Sequence, residues 1–561
     1  MYKKMSDLAN KYQKKTDKQH ILDNPDTYIG SVENVDAVTW VCKDNKIVKN
    51  YMNYIPGLYK LFDEGIVNCR DHVIRMKQAI TDKKENCIPV SNISVSISDD
   101  GTITMINDGN GIDIEKHPEY NVWIPELIFG HLRTSTNYNK EEKKIVGGKN
   151  GFGFKLVLIW SSYGYIETID HIRKKKYCQE FKQNLDVTCE PKITKSTAKP
   201  YTKIVFKPDY KRFGIENLSQ EMRELLMKRV YDISAVTDKN IKVKFNDSII
   251  PVKNFQQYID LYLEENNKKV YEEASQRWEY AAALSSTHEF QQVSFVNGIC
   301  TFKGGKHVDY ILNQITKKMV AYIEKKKKVT VTANSIKEQI ILFVRCDIEN
   351  PAFDSQTKDY LNTPLSKFGS TCSVSDKFID KLAKQGIMDA ACEITNLKDN
   401  KAAKKSDGKK SKNVRGIPKL IDANWAGTAN SHACTIIFCE GDSAKAGIVS
   451  GLSTEDRNII GVYPMKGKVL NVRGETQKKI NDNKEIIEIK KILGLETGKK
   501  YSESDIKKSL RYGKVLFMTD QDLDGSHIKG LGINLFQSEW DTLSKIPGFM
   551  GFMNTPILKA K

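Results

Sequence analysis

Three acidic residues stand at alternate positions near the carboxyl end of this 561-residue sequence: Asp520, Asp522 and Asp524. They follow residues 514–518, an apolar run that predicts a buried strand. Like charges at this spacing are unfavourable unless a cation neutralises them. Because carboxylate oxygens are hard ligands, the cluster favours magnesium or calcium over zinc.

A second group of residues could bind a nucleotide. Glu64 and Asn68 are four positions apart and would share one face of a helix. Residues 107–111 read Asn-Asp-Gly-Asn-Gly, and residues 147–156 contain a glycine-rich loop. Glycine would let backbone N–H groups approach a phosphate closely, at the positive end of a helix. The loop fits neither the Walker A nor the dinucleotide pattern, and each segment alone is equally typical of an ordinary turn or a solvated helix face.

The elements that carry these residues must belong to several domains, because the chain is too long for a single core. Its 40% hydrophobic and 28% charged residues are ordinary for a globular protein. Residues 397–416 are polar and lysine-rich and predict an exposed linker. Residues 435–438 then begin a new domain in which strands and helices alternate.

The charge and cysteine content point to a partner and a compartment. A formal net charge of +18 indicates a polyanionic partner, although a lysine-rich surface can also follow from compositional bias. Eleven Cys without a CxxC pair argue against a zinc ribbon or a disulfide framework and for reduced thiols inside a cell. The sequence shows no apolar signal core and no run that could span a bilayer, so no membrane partner is expected.

In combination and order, the nucleotide-binding segments resemble the ATP-binding fold shared by gyrase, the Hsp90 chaperones, histidine kinases and MutL. The resemblance implies that Glu64 is the general base that polarises the attacking water. It also implies that Asn68 holds Mg²⁺ against the phosphates and that Asp108 accepts a hydrogen bond from the adenine amine. The residues that would wrap the phosphates are Gly148, Lys149, Asn150, Gly151, Phe152, Gly153, Phe154 and Lys155.

Other segments narrow the resemblance to type IIA DNA topoisomerases. Residues 18–33 look like the amino-terminal arm of that family, and residues 132–138 resemble its eukaryotic-type Thr-Ser-Ser-Asn-Tyr. In that motif Ser135 and Asn137 reach the nucleotide, and Thr136 keeps a hydroxyl where Ser is usual. Residues 294–298, 303–310 and 353–358 resemble the transducer domain. The last of these implies nucleotide contacts from Gln356, Thr357 and Lys358, with the Lys358 ammonium reaching the γ-phosphate.

Residues 439–445 and 520–527 resemble the TOPRIM domain of the same family. Glu440, Asp520 and Asp522 would then hold one or two Mg²⁺ ions at a scissile phosphate, with Asp524 in support. Two alternatives remain: a metal-free acidic turn, and an EF-hand loop, which would need Glu where Leu531 stands.

The resemblance also implies two regions that contact DNA. A run of four lysines would face an enclosed duplex, although such a run can also be a solvated surface. Residues 463–473 match a segment that touches DNA, with Lys466 where Arg is usual, which removes the bidentate geometry. The candidate DNA-binding residues are Lys325, Lys326, Lys327, Lys328, Lys466, Lys468 and Asn471.

The predicted fold class is α/β (α+β), in three folded parts. These are a Bergerat-type ATPase sandwich over residues 1–245, a transducer domain of ribosomal-S5-like fold over 246–396, and a Rossmann-like TOPRIM domain over 431–561. A basic linker is expected over 397–430. The winged-helix, tower and C-gate regions would lie beyond residue 561, so no nucleophilic Tyr is assigned. Either the chain is a fragment of a longer enzyme, which its eukaryotic and large-DNA-virus motifs favour, or it is a subunit that needs a separate cleavage subunit.

The expected function is that of an ATP- and Mg²⁺-dependent DNA topoisomerase. It would act as a homodimer on double-stranded DNA, passing one duplex through a transient break in another to relax or decatenate DNA. Its location would be intracellular, in the nucleus or cytoplasm, or in a viral factory if the protein is viral. Three rivals remain: a chaperone-type ATPase clamp, a nuclease or primase-like TOPRIM protein, and a non-catalytic DNA-binding clamp.

Overall fold

The computed structural model describes residues 14–132, 134, 145–148, 153–264, 267–520 and 522–554, apart from the side chains of residues 399, 400, 402, 403 and 554. The chain divides into two compact units. One consists of residues 1–326 and 332–389, and the other of residues 327–331 and 390–561. None of the described helices combines the length and apolarity that a membrane crossing needs.

The first unit begins with two short helices and a separate antiparallel hairpin. These elements are α1 (Asp17–Asp23), α2 (Pro25–Tyr28), β1 (Val35–Lys43) and β2 (Lys46–Tyr54). A nine-stranded sheet follows. Its strands are β3 (Asn92–Ile97), β4 (Ile103–Asp108), β5 (Ser161–Asp170), β6 (Lys175–Lys182), β7 (Val187–Thr188), β8 (Lys192–Lys195), β9 (Tyr201–Pro208), β10 (Lys242–Phe245) and β11 (Ser248–Ile249). The order is β11-β10-β3-β4-β9-β5-β6-β7, with β8 beside β6, and every pair except β10–β3 is antiparallel.

Helices cover the apolar face of this sheet. Alternate residues of β3 and β4 are buried, as the two-residue period of a strand requires. The helices of this half are α3 (Pro56–Thr81), α4 (Ile124–Gly130), α5 (Gly153–Ile159), α6 (Gln220–Ala235) and α7 (Phe255–Asp260). Helix α3 begins with Pro56, at a position where the missing N–H has no partner to lose. Its Leu61 and Phe62 share one core with Val95 of β3 and Leu226 of α6.

A five-stranded sheet forms the rest of the first unit, in the order β12-β13-β17-β14-β15. Its strands are β12 (Val270–Ser275), β13 (Trp278–Leu284), β14 (Gln291–Val296), β15 (Ile299–Cys300) and β17 (Ile340–Cys346), and β16 (Gly304–Gly305) pairs separately with β18 (Tyr360–Leu361). The helices are α8 (Lys306–Lys327), α9 (Ala333–Lys337), α10 (Asp376–Leu382) and α11 (Met388–Lys405), the last of which continues into the second unit. In α8 the buried residues recur every three or four positions, as in an amphipathic helix.

The second unit is built on a four-stranded parallel sheet in the order β20-β19-β21-β22. Its strands are β19 (Thr435–Glu440), β20 (Ile460–Met465), β21 (Lys514–Thr519) and β22 (Met550–Asn554). Its further helices are α12 (Gly441–Gly451), α13 (Asp456–Ile459), α14 (Gln477–Asp482), α15 (Lys484–Leu493), α16 (Glu503–Ser509), α17 (Leu523–Glu539) and α18 (Asp541–Ser544). Because β19 and β21 are adjacent and parallel, the residues that follow them meet at one edge of the sheet.

The structure differs from the predicted linker over residues 397–430. Residues 397–405 belong to α11. The rest of the segment packs into the second unit, where Ala426 is buried in the core. The Arg511 side chain fixes this segment by donating from Nε to the Ser411 carbonyl at 2.7 Å. This part of the chain is therefore lysine-rich and yet largely ordered by long-range contacts.

Candidate nucleotide site and metal centre

A cavity of about 710 Å³ lies in the first unit, beside one face of α3. Eight of the predicted nucleotide-site residues line it, and they come from four separate stretches of sequence. They are Glu64, Asn68, Gly148, Gly153, Phe154, Lys155, Gln356 and Lys358. The structure thus brings the α3 residues, both ends of the glycine-rich loop and the 353–358 segment to a single cavity.

Glu64 carries a negative charge at the wall of this cavity. Its carboxylate is buried and lies 3.0 Å from Nζ of Lys358 and 2.9 Å from Nζ of Lys60. Burial by itself would raise the pKa of Glu64, but Lys358 and Lys60 outweigh it and hold that pKa below its usual value. Glu64 is therefore ionised at neutral pH, as a general base must be.

Lys358 reaches Glu64 from the second sheet-bearing half of the unit, through a turn with an unusual backbone. Its φ of 63° lies in the left-handed region, and its N–H donates to the Ser355 carbonyl at 3.2 Å. The residue is only 7% exposed. Such a strained conformation persists where surrounding contacts fix it, and here the ion pair with Glu64 supplies one of them.

The ends of the glycine-rich loop are held close to α3. The N–H groups of Gly147 and Gly148 each donate to the Asp71 carboxylate at 2.9 Å. At the other end, a Cβ on Gly153 would lie 2.5 Å from Oε2 of Glu64, so only glycine allows this approach. Lys155 follows in α5, where burial lowers its pKa to about 8 and its ammonium donates to the Thr134 carbonyl.

A ladder of buried charges extends from Glu64 into the core. Lys60 also pairs with Asp63 at 3.0 Å, and Nε of Arg229 lies 2.7 Å from the same carboxylate. Arg229 is completely buried and donates from Nη2 to the Gly298 carbonyl at 2.8 Å. The neighbourhood of Glu64 is therefore tied to the turn between β14 and β15.

The predicted metal ligands surround the edge where β19 and β21 end. Glu440 closes β19, and its Oε2 is buried without a hydrogen-bond partner in the described part of the chain. Asp520 is exposed just beyond β21. Asp522 accepts the Gly525 N–H at 2.7 Å as the cap of α17, and Asp524 pairs with Lys468 at 2.9 Å. Within residues 14–132, 134, 145–148, 153–264, 267–520 and 522–554, no three Asp, Glu, His or Cys side chains stand close enough to form a ready metal cage.

The chemistry of this edge nevertheless fits a hard divalent cation. The donors are all carboxylate oxygens, and one of them is a buried oxygen that lacks a partner. An unpaired buried carboxylate oxygen is unfavourable, and a cation would satisfy it. Asp522 and Asp524 each contact their present protein partner through Oδ1, so the second carboxylate oxygen of each could coordinate the ion.

Comparisons with known proteins give matches to family models and to individual relatives. Two family models match the chain, one described as DNA gyrase B over residues 254–413 and one described as Toprim domain over residues 435–553. DNA topoisomerase 2 of Pisum sativum is 44% identical over 99% of this chain and 37% of that protein, and DNA topoisomerase 2 of Acanthamoeba polyphaga mimivirus is 43% identical over 99% and 44%. The crystal structure of the ATPase region of Saccharomyces cerevisiae topoisomerase II is 40% identical, with a TM-score of 0.65, and covers 69% of this chain and 100% of that one.

The chain belongs to the type IIA DNA topoisomerase family. The resemblance stated from the sequence is thus confirmed, and so is the mixed α/β fold class. The chain spans less than half the length of the curated topoisomerase relatives it matches.

One predicted residue of this topoisomerase site faces elsewhere. Asp108 does not line the cavity, because its carboxylate accepts the N–H groups of Ser91 at 2.7 Å and Asn92 at 2.8 Å. Its neighbour Asn107 lines the cavity instead and is 7% exposed. The structure therefore contradicts a direct adenine contact from Asp108, since consecutive strand residues point to opposite faces of a sheet.

The remaining residues predicted for the nucleotide site either do not line the cavity or lie outside the described residues. Thr357 is in the same turn as Lys358, but it is not among the residues that line the cavity. Its hydroxyl donates to Asp359 at 3.0 Å. The nucleotide-site predictions that lie outside the described residues are Ser135, Thr136, Asn137, Lys149, Asn150, Gly151 and Phe152.

The predicted DNA-binding residues are all exposed. Those at the carboxyl end of α8 and just after it are Lys325, Lys326, Lys327 and Lys328, and those of the second unit are Lys466, Lys468 and Asn471. The Asn471 side chain accepts from Asn534 at 2.8 Å. Exposure is compatible with phosphate contact, and the role of these residues stays a prediction.

Sequence reasoning missed three residues of the nucleotide site: Lys60, Asp71 and Asn107. Lys60 precedes Glu64 by four positions, so helical spacing alone would have placed the two on one face. Asn107 continues the buried alternation of Ile103 and Met105, which the two-residue period of a strand predicts. Asp71 carried no comparable signal, because its partners lie 76 and 77 positions away.

Proposed function

We propose that this chain is the ATP-hydrolysing and metal-binding part of a type II DNA topoisomerase. The observation that carries the proposal is the buried Glu64 carboxylate between Lys60 and Lys358 at the wall of a nucleotide-sized cavity. Residues that match the Toprim family model stand in the same chain. A chaperone-type clamp would have no use for that second site.

In the proposed reaction, the γ-phosphate of ATP draws the Lys358 ammonium away from Glu64. The freed carboxylate accepts a proton from a water molecule as that water attacks the phosphorus in line, and ADP leaves with the β-phosphate oxygen. Lys60 stays beside Glu64 and Lys358 stabilises the charge on the γ-phosphate. Lys358 belongs to the transducer half of the unit. The movement of its ammonium from Glu64 to the γ-phosphate would therefore signal to that half that ATP is bound.

The other groups of the cavity would bind and orient the nucleotide. We assign the adenine amine to the Asn107 amide oxygen, because its Nδ2 already donates to the Asp108 carbonyl and the oxygen remains available. Asn68 would hold Mg²⁺, which supplies charge neutralisation between the phosphates. Lys155 and the loop that includes Gly148 and Gly153 would contact the phosphates, because they line the same cavity.

The substrate and partners follow from the relatives. We infer that the chain acts inside the cell on double-stranded DNA, as a homodimer. Glu440, Asp520 and Asp522 would hold Mg²⁺ at the scissile phosphate, and the nucleophilic Tyr would come from a further region or a separate subunit. Exposed Lys325, Lys326, Lys327 and Lys328 would contact phosphates of the enclosed duplex.

DNA-stimulated ATP hydrolysis tests this proposal. Linear duplex DNA should raise the ATPase rate of the chain, and replacing residues 325–328 by Ala should reduce that stimulation and its dependence on salt. A matched control replaces four other exposed lysines, all of which belong to the first unit: Lys174, Lys195, Lys199 and Lys239. Stimulation by unfolded protein but not by DNA would favour the chaperone-type clamp and overturn the proposal.

A further inference from the structure

One face of α3 carries a third polar residue that neither the phosphate chemistry nor the metal uses. Glu64, Asn68 and His72 follow one another at intervals of four residues, and all three line the cavity. At 1.5 Å per residue, His72 lies about 12 Å along the helix axis from Glu64. It is therefore at the end of the cavity remote from Lys358, where the nucleoside part of ATP would lie.

The His72 ring has one nitrogen that is satisfied and one that is not. The Asn110 backbone favours the protonated form of the ring and so acts to raise its pKa, as a carbonyl that faces a ring N–H does. Nε2 is buried and has no hydrogen-bond partner in the described part of the chain. We therefore assign the proton of the neutral ring to Nδ1, which leaves a lone pair on Nε2.

The surroundings keep this ring neutral. Burial, and secondarily the positive charge of Arg75, lower the pKa of His72 to about 4, while the Asn110 backbone and Asp108 act in the opposite direction more weakly. At neutral pH, Nε2 is thus an acceptor and cannot donate. Met76 and Ile112 are among the apolar residues that line the same cavity.

We propose that Nε2 of His72 accepts a hydrogen bond from an N–H or O–H donor on the nucleoside of ATP and thereby contributes to nucleoside selectivity. The adenine amino group and the ribose hydroxyls are the donors of this kind. The inference rests on the proposed function, because it takes the cavity to bind ATP. A buried acceptor left unpaired is unfavourable, so a ligand that supplies the missing donor gains affinity from it.

The test pairs His72→Phe, which removes the acceptor but keeps a planar ring, with ligands that each lack one donor. The dissociation constants of ATP, 2′-deoxy-ATP, 3′-deoxy-ATP and purine riboside triphosphate, which lacks the amino group, are measured for both proteins. ATP should bind the variant about 10-fold more weakly. That difference should vanish for the one analogue that lacks the donor to His72, which identifies the group.

Further variants guard against a loss of packing. His72→Gln, which retains an acceptor, should bind ATP more tightly than His72→Phe. His72→Leu is measured beside them, so that the comparison does not depend on the folding of one protein. His432→Phe, at an exposed site of the second unit, is the matched control.

Equal ATP affinity in wild type and His72→Phe, or a weakening of the same size for all four ligands, would overturn the inference. Failure of the wild-type chain to bind ATP at all would instead refute the proposed function. The two failures are therefore distinguishable.

Discussion

At the scale of single residues, the site depends on how one buried carboxylate is kept ionised. Two cationic side chains form ion pairs with Glu64, and they are not equivalent. Lys358 is delivered by a separate turn and can be drawn to a phosphate, whereas Lys60 is part of the same helix and stays in place. Lys60 is therefore the group that opposes the effect of burial during the reaction.

Replacing Lys60 by Met should make ATP hydrolysis more sensitive to acid. The pKa of Glu64 is lowered in the folded protein, so the carboxylate is ionised above that value and becomes protonated as the pH falls through it. Without Lys60 the unopposed effect of burial raises this pKa, and the rate falls more at about pH 6 than at about pH 8.

The pH profile of kcat is the measurement that checks the role of Lys60. In Lys60→Arg, the pH at which kcat falls on the acid side should return to the wild-type value. In Lys77→Met, at an exposed position of the same helix, that pH should not change. A loss of the same factor at every pH would mean that Lys60 only supports the structure.

At the scale of elements, α3 carries Glu64 and is connected by buried contacts to the rest of the first unit. Arg229 bridges Asp63, the neighbour of Glu64, and the carbonyl of Gly298 in the β14–β15 turn. A Cβ on Gly298 would lie 2.7 Å from Cδ of Arg70, so this turn also requires glycine at a φ of 77°. The helix and the transducer sheet are thus connected by buried, directional contacts.

Replacing Arg229 by Met should destabilise the chain by about 3 kcal/mol, because it removes a buried cation and leaves part of the Asp63 charge uncompensated. Urea unfolding followed by intrinsic fluorescence measures the change in free energy. Glu221→Met, at an exposed position of the same helix, is the control. A change below about 0.5 kcal/mol, typical of surface sites, would contradict a structural role for the bridge.

The elements also show where sequence reasoning succeeds and fails. The alternating apolar residues of 93–97 and the turn residues Asp99-Asp100-Gly101 are local signals of a hairpin, and β3 and β4 form that hairpin. The lysine-rich composition of the segment after residue 405 predicted an exposed linker. The segment packs into the second unit instead, because Arg511, 100 positions away, donates to its backbone. The side of the strand on which Asn107 and Asp108 point follows from the alternation that buries Ile103 and Met105, and the resemblance of residues 107–111 alone does not give it.

At the scale of the whole molecule, a net charge of +18 accompanies two sites for which we propose phosphate ligands. One site sits in a cavity with lysines at its wall, and the other at an edge of carboxylates that fits a divalent cation. In the proposed function, the first site serves ATP hydrolysis and the second serves metal-assisted DNA cleavage. The order of these sites along the chain was readable from motifs, whereas the ion pairs that connect them to their cores required the structure.

The most direct test of this account is ATP turnover by Glu64→Gln, which keeps the size of the side chain and removes its charge. The variant should still bind ATP, while its hydrolysis rate falls at least about 100-fold, as expected for loss of a general base. Binding by calorimetry and phosphate release by a coupled assay measure the two properties on the same preparation. Near-normal turnover with intact binding would show that Glu64 is not the base and would contradict the proposed site.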